Sequence, residues 1–129
     1  MRVLVDSSVW IDYFRAGRHA KELESLLDDG RVVINDLILA ELVPALHVKR
    51  QPRLIDLLGE LQREPMQPDW EGVIRLQITC LRDGLNGIGI PDLLIAQNAM
   101  RNGLQLMTRD GHFRQLARCA PLQLHLSAD

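Results

Sequence analysis

The sequence begins with Met1 followed by the stretch Arg2-Val3-Leu4-Val5-Asp6-Ser7-Ser8, a short apolar run that leads into three residues common at helix starts. An apolar run without alternating polar residues indicates a strand that is buried on both faces. Asp and Ser are favoured at helix N-termini, so a helix is predicted to continue through Trp10 to about Ala16. The stretch therefore predicts a β–α unit with Asp6 at the junction.

The same alternation of apolar runs and amphipathic segments continues along the chain. Further helices are predicted at about 20–29, 37–48, 52–62, 70–83, 91–102 and 113–118, and further strands at 31–34, 104–107 and 122–126. The segment 63–69, which contains two prolines, is predicted to be a connector. Strands that alternate with helices pair in parallel and are covered on both faces. We therefore expect residues 1–129 to form one domain, an α/β/α sandwich around a parallel sheet.

Composition and charge narrow the possible classes of protein. The 129 residues are 47% hydrophobic and 25% charged, which is typical of a globular domain. No apolar run is long enough to cross a bilayer, and an acid follows Met1 too soon for a signal peptide, so we expect a cytoplasmic protein without membrane association. The net charge of −2 argues against broad neutralisation of nucleic-acid phosphates. Divalent ions at one site would reverse that balance locally.

The sequence contains no recognisable zinc motif. Cys80 and Cys119 lie far apart in the chain, and no metal-ligand spacing surrounds either of them. The four histidines form no HxH or HExxH pattern, so we do not expect a zinc site.

Four acidic residues are candidates for a site, and two of them occupy positions where this class of fold binds ligands, outside the carboxyl ends of the strands. Asp6 follows the first predicted strand directly, and Asp110 follows the strand that ends near Met107. Asp92 lies in the first turn of a helix that is entered from a glycine-rich loop. Glu41 is the only charged residue among residues 37–46.

Each of these acids also has a structural explanation when it is taken singly. Asp6 and Asp92 are plausible helix caps, Asp110 begins a common turn pair, and Glu41 fits an exposed helix edge. As a group they favour a metal site, because clustered carboxylates repel one another unless a cation holds them. Oxygen ligands select magnesium or manganese, and two such ions can activate a water and stabilise the leaving oxygen of a phosphodiester.

The acids lie in four short motifs that together resemble a family. The motifs are Val5-Asp6-Ser7-Ser8-Val9-Trp10-Ile11-Asp12, Leu39-Ala40-Glu41-Leu42, Ile90-Pro91-Asp92-Leu93-Leu94-Ile95-Ala96 and Met107-Thr108-Arg109-Asp110-Gly111-His112-Phe113. In this order and spacing they resemble a PIN domain, and more narrowly a VapC-type toxin of bacterial toxin–antitoxin pairs.

The resemblance implies an activity and a set of partners. It implies a magnesium- or manganese-dependent endoribonuclease that cuts RNA, usually tRNA or rRNA, with Asp6, Glu41, Asp92 and Asp110 as catalytic and metal-binding residues. It also implies a homodimer and a VapB-type antitoxin whose tail occupies the active-site groove. The net charge of −2 indicates that any DNA would be bound only through the antitoxin.

Polar and basic neighbours of the acids receive weaker assignments. Ser7 and Thr108 match polar positions of the family, although a helix cap and a strand-end hydroxyl explain them as well. Arg109 is a candidate RNA contact because it neighbours Asp110. Other charged and aromatic residues near the motifs are interpreted as surface, cap or packing residues: Asp12, Asp36, Asp83, the basic cluster Arg15, Arg18, His19 and Lys21, and the aromatic group Trp10, Tyr13 and Phe14.

Three other functions are alternatives to the ribonuclease. A phosphatase with a covalent aspartate would place a second Asp two residues after Asp6, where this chain has Ser8. A nucleotide-binding module would show a GxGxxG or GxxxxGK[ST] motif after a strand, and none is present. A non-catalytic PIN-like protein that acts in an antitoxin complex on operator DNA stays open at this point.

Overall fold

The computed structural model describes residues 1–15 and 20–125. Its four strands, β1 (Val3–Val5), β2 (Val32–Ile34), β3 (Gln62–Arg63) and β4 (Gln105–Met107), form one parallel sheet in the order β3-β2-β1-β4. The described residues contain seven helices: α1 (Ser7–Phe14), α2 (Ala20–Asp28), α3 (Asp36–Val48), α4 (Pro52–Glu60), α5 (Trp70–Arg82), α6 (Ile90–Arg101) and α7 (Gly111–Leu116). No helix among these residues has the length and apolar character that a membrane span requires.

The core confirms the predicted sandwich. Successive side chains of a strand point to opposite faces of the sheet. All three residues of β1 are fully buried, and all three of β2 are buried as well. Helices must therefore cover both faces. Few aromatics are available, and only Trp10 and Phe113 join the aliphatic side chains among the largest buried residues.

The sequence mispredicted the structure mainly at the two edges of the sheet. Gln62 and Arg63, assigned to the end of a helix and to a connector, form the edge strand β3. Both side chains are exposed, so no apolar pattern marks the strand. The predicted strand at 122–126 reduces to one bridge between Leu124 and Leu106, and its last residue lies outside the described part, as does the predicted end of the first helix at Ala16.

A buried pair of asparagines joins the two helices that carry Glu41 and Asp92. Asn35 follows β2 and caps α3, because its Oδ1 accepts a hydrogen bond from the Ile38 amide at 2.9 Å. Its Nδ2 donates to Oδ1 of Asn98 on α6 at 3.0 Å. Asn98 in turn donates to the carbonyl of Pro65 at 3.1 Å. Leaving such buried groups unpaired costs about 1–3 kcal/mol each, so the pair holds α3, α6 and the connector in one arrangement.

Candidate functional site

Asp6 is a nearly buried carboxylate at the carboxyl end of β1, with 4% of its surface exposed. Its Oδ2 accepts a hydrogen bond from Ser8 Oγ at 2.9 Å and another from Thr108 Oγ1 at 3.0 Å. The residue occupies the N-cap position of α1, yet its side chain makes no capping hydrogen bond. Helix capping therefore does not explain why this position carries an aspartate.

The two hydroxyls that hold Asp6 are themselves oriented by the backbone after β4. The Arg109 amide donates to Ser8 Oγ and the Asp110 amide donates to Thr108 Oγ1, each at 3.0 Å. Each hydroxyl thus accepts a hydrogen bond from a backbone amide and donates one to the carboxylate. The sequence motifs had drawn attention to Thr108 but not to this role of Ser8, for which the only signal was a hydroxyl residue two positions after Asp6.

Glu41 on α3 lies within the electric field of the other acids. Burial raises the pKa of its carboxyl, and the negative charges of Asp6 and Asp92 raise it further. A hydrogen bond from Ser7 acts in the opposite direction and lowers the Glu41 pKa. Glu41 as a whole is exposed, although its carboxyl is partly withdrawn from water.

Asp92 lies in the first turn of α6, whose N-cap is Gly89, so Asp92 is not itself the cap. Burial raises the pKa of its carboxyl, followed by the charges of Asp110 and Asp6, while His112 lowers it. Such effects fade over about 10 Å at ordinary ionic strength. The structure therefore places Glu41 and Asp92 where the charge of Asp6 acts on both, and it places Asp110 beside Asp92. Their catalytic and metal-binding roles remain predictions.

Asp110 and His112 form the tightest part of this group. Asp110 caps α7, as its Oδ1 accepts a hydrogen bond from the His112 amide at 2.9 Å. His112 Nδ1 lies 3.4 Å from that oxygen and 3.6 Å from Asp92 Oδ2. Within the described residues, these are the only three metal-ligating side chains whose donor atoms all lie within 4.8 Å of one another. Sequence reasoning missed His112 because it searched for spacings between histidines.

Most of the neighbouring charged and aromatic residues have partners of their own. Arg109 forms an ion pair with Asp12, and Arg63 Nη1 lies 3.3 Å from Asp36 Oδ1. The ring of Trp10 is buried against Tyr13 and Phe14, with centroids 6.0 and 5.9 Å away. Three further residues of the assignments, Asp83, Arg15 and Lys21, are exposed, while Arg18 and His19 lie outside the described residues.

The donor set is suited to a divalent cation. The carboxyls of Glu41 and Asp92 have raised pKa values partly because neighbouring acids repel their charge. A cation between them would remove that repulsion. Carboxylate oxygens are the ligands that magnesium and manganese prefer.

Comparison with known proteins gives consistent matches over nearly the whole chain. Residues 3–118 match the family model of the PIN domain. The chain is 34% identical over 119 residues to Ribonuclease VapC32 of Mycobacterium tuberculosis, covering 92% of this chain and 90% of that protein. Among solved structures, VapBC2 from Rickettsia felis, bound to a DNA fragment from its promoter, has a TM-score of 0.77 at 21% identity and covers 97% of this chain and 98% of that one. VapBC-5 from M. tuberculosis, a member of the VapBC family of toxin–antitoxin systems, has a TM-score of 0.71 at 23% identity. The match covers 98% of this chain and 100% of that one.

The raised pKa of Asp92 predicts how pH affects stability without metal. A carboxyl with a raised pKa in the folded state contributes stability below its unfolded pKa, and this contribution is lost as the pH rises through the folded pKa. In a chelator, we expect Asp92→Asn to have a higher Tm than the native chain at about pH 7, and the difference to shrink toward about pH 4.

Thermal unfolding at both pH values measures this difference. The matched control is Asp29→Asn. Asp29 is exposed and precedes the amino end of β2, whereas Asp6 lies at the carboxyl end of β1. The control should leave Tm unchanged at both pH values. A lower Tm for Asp92→Asn at neutral pH would contradict the repulsion described above.

Proposed function

This chain belongs to the PIN domain family, and from that premise we propose that it is a VapC-type toxin, a metal-dependent endoribonuclease that hydrolyses phosphodiester bonds in tRNA or rRNA. The observation that carries the proposal is the buried Asp6 carboxylate, which is held by two hydroxyls and whose charge acts on Glu41 and Asp92. Its site residues would be Asp6, Glu41, Asp92 and Asp110. Because such RNAs reside in the cytoplasm, the enzyme would act there.

The proposed roles follow from the contacts of each side chain. Ser8 and Thr108 fix the orientation of Asp6, so that this carboxylate is positioned before any ligand arrives. Glu41, Asp92 and Asp110 complete a negatively charged pocket that binds magnesium or manganese. When bound, these ions would supply the positive charge that activates a water and stabilises the leaving oxygen. The pocket needs no nucleophilic side chain.

Arg109 is the residue we propose for contact with the RNA backbone. Its amide donates to Ser8, so the residue lies at the rim of the pocket, and its guanidinium is held by Asp12. A guanidinium matches the geometry of a phosphate. Since the whole chain carries a net charge of −2, such a local positive group matters more here than overall charge.

The ribonuclease proposal predicts that single acids are indispensable. We expect Asp6→Asn and Asp92→Asn each to lower cleavage of purified tRNA or rRNA by at least about a hundredfold, because each removes a charge that holds the cation. A chelator should abolish native cleavage, and added manganese or magnesium should restore it. Gel electrophoresis with sequencing of RNA ends measures the products, and circular dichroism checks folding.

Asp29→Asn should cleave RNA at the native rate, because Asp29 precedes the amino end of β2 and the acids at the strand ends, Asp6 and Asp110, follow the carboxyl ends. Full activity of Asp92→Asn would remove that residue from the mechanism. Absence of cleavage by the native chain with metal present would favour the non-catalytic alternative, a protein that acts on operator DNA within an antitoxin complex.

An apolar groove beside Glu41 is the surface we propose for a VapB-type antitoxin. It has a volume of about 350 Å³ and lies between α1, α3 and α4. Leu42, Leu46 and Leu54 line it, and Arg15 and Lys49 are basic residues of the same lining. An apolar antitoxin segment with acidic flanks would fit this lining, and a basic side chain at its end would reach Glu41. DNA would then be contacted only through the antitoxin.

The groove proposal predicts that inhibition and catalysis can be separated. Ala45 is exposed and lines the groove, whereas Ala40 is exposed on the same helix and lines a different depression. We expect Ala45→Arg to raise the concentration of cognate antitoxin needed for half-inhibition of RNA cleavage by about tenfold or more, since a long charged side chain fills the apolar groove. Ala40→Arg should be inhibited like the native chain. Equal inhibition of both variants would place the antitoxin elsewhere.

We propose a homodimer that forms through the outer face of α5. Four large apolar side chains, Trp70, Ile74, Ile78 and Leu81, are 42–59% exposed. Their spacing of three or four residues places them on one side of the helix. A continuous apolar face of this kind is uncommon on a monomer, and a second copy of the chain would cover it.

A charge on this face should separate the two copies. We expect Ile74→Glu to convert a dimer to a monomer in sedimentation velocity, because the carboxylate would be buried at the interface without a partner. Val48→Glu is the matched control, since Val48 is 79% exposed on α3, outside this face. A monomeric native chain, or a dimeric Ile74→Glu variant, would contradict the proposed interface.

A further inference from the structure

The tightest cluster at the site includes a residue that lies outside the four acids. His112 stands two residues after Asp110 and directs its Nδ1 at two carboxylates at once. The Nδ1 atom lies 3.4 Å from Asp110 Oδ1 and 3.6 Å from Asp92 Oδ2. The imidazole could pair with these carboxylates as a cation, or it could bind a metal ion together with them.

The separations match those of ligand atoms around a small ion. With bonds of about 2.1 Å, ligand atoms at angles between about 90° and 115° lie about 3.0–3.5 Å apart. The two contacts of His112 Nδ1 fall at the upper end of this range or just beyond it, and all three donor atoms lie within 4.8 Å of one another. An ion could therefore be accommodated with only small adjustments of the side chains.

The backbone of His112 is fixed by well-packed neighbours, while its side chain is 44% exposed. Its own amide donates to Asp110 Oδ1 at 2.9 Å, which ties the start of α7 to the acid beside it. The next residue, Phe113, is 1% exposed, and Leu116 at the end of the helix is fully buried. These anchors hold the first turn of α7 against the core, so that His112 stays at the acids.

We propose that His112 is a ligand of the divalent metal, donating through Nδ1 beside Asp92 and Asp110, and that it favours manganese over magnesium at this site. The inference rests on the proposed metal-dependent nuclease and adds one ligand to its acids. Imidazole nitrogen is softer than carboxylate oxygen, and manganese accepts it more readily than magnesium, which prefers oxygen and retains its waters. The rival role is that of an internal cation that pairs with the acids and leaves when metal enters.

Pulsed electron paramagnetic resonance of Mn²⁺ bound to the full chain distinguishes the two roles. At about pH 8, where an ordinary imidazole is neutral, we expect nitrogen modulation of the manganese signal in the native protein. His112→Ala should lose this modulation. His47→Ala should retain it, since His47 is exposed on α3 and serves as the matched control.

Calorimetric titrations with Mn²⁺ alone and Mg²⁺ alone provide the second readout. We expect His112→Ala to weaken manganese binding by about tenfold and magnesium binding by less than about threefold. His112→Gln, which keeps a polar side chain but lacks the nitrogen ligand, should behave like the alanine variant. Equal weakening for both ions, or tighter binding of manganese by His112→Ala, would overturn the proposal, the latter in favour of the internal cation.

The outcomes also separate this inference from the function on which it rests. If the native chain binds manganese and cleaves RNA but shows no nitrogen modulation, or if His112→Ala keeps it, His112 is not a ligand and the nuclease proposal stands. If the native chain neither binds these ions nor cleaves RNA in a metal-dependent way, both proposals fail together.

Discussion

The burial of the Asp6 carboxylate is the constraint on which the site depends. An ionised carboxyl without partners inside a protein costs several kcal/mol, so its neighbours must compensate it. Ser8 and Thr108 do so by donating to one oxygen, and the amides of Arg109 and Asp110 orient both hydroxyls. The compensation therefore fixes the turn after β4 against the end of β1. That turn leads directly into Asp110 and α7.

A second polar tie places the other half of the site. The Asn35–Asn98 hydrogen bond joins α3 to α6, and each helix carries one of the remaining acids six residues from its asparagine. Two sets of hydrogen bonds thus position the site. Burial raises the pKa of the Glu41 and Asp92 carboxyls, and the charges of neighbouring acids raise it further. The scaffold supplies the order and a cation would supply the charge balance, which is an arrangement typical of preorganised metal sites.

The sequence was informative where a signal is local and silent where it arises from tertiary contact. Apolar runs predicted β1, β2 and β4, and residues that follow strands pointed to Asp6 and Asp110 because parallel strands end at one edge. The strand β3 escaped prediction because Gln62 and Arg63 are polar and exposed, and their pairing depends on β2. Ser8 and His112 escaped because their importance lies in tertiary contacts. Ser8 Oγ lies 3.4 Å from Thr108 Oγ1, and His112 Nδ1 lies 3.6 Å from Asp92 Oδ2.

The two margins of the sheet have a consequence for how such a chain behaves at high concentration. A free strand edge can recruit another chain and seed aggregation. Here one margin, β3, is only two residues long, and its Arg63 is paired with Asp36. At the other margin the backbone at Leu124 pairs with Leu106 and covers β4. A short charged strand on one side and a covering segment on the other leave little template for edge-to-edge pairing with another chain.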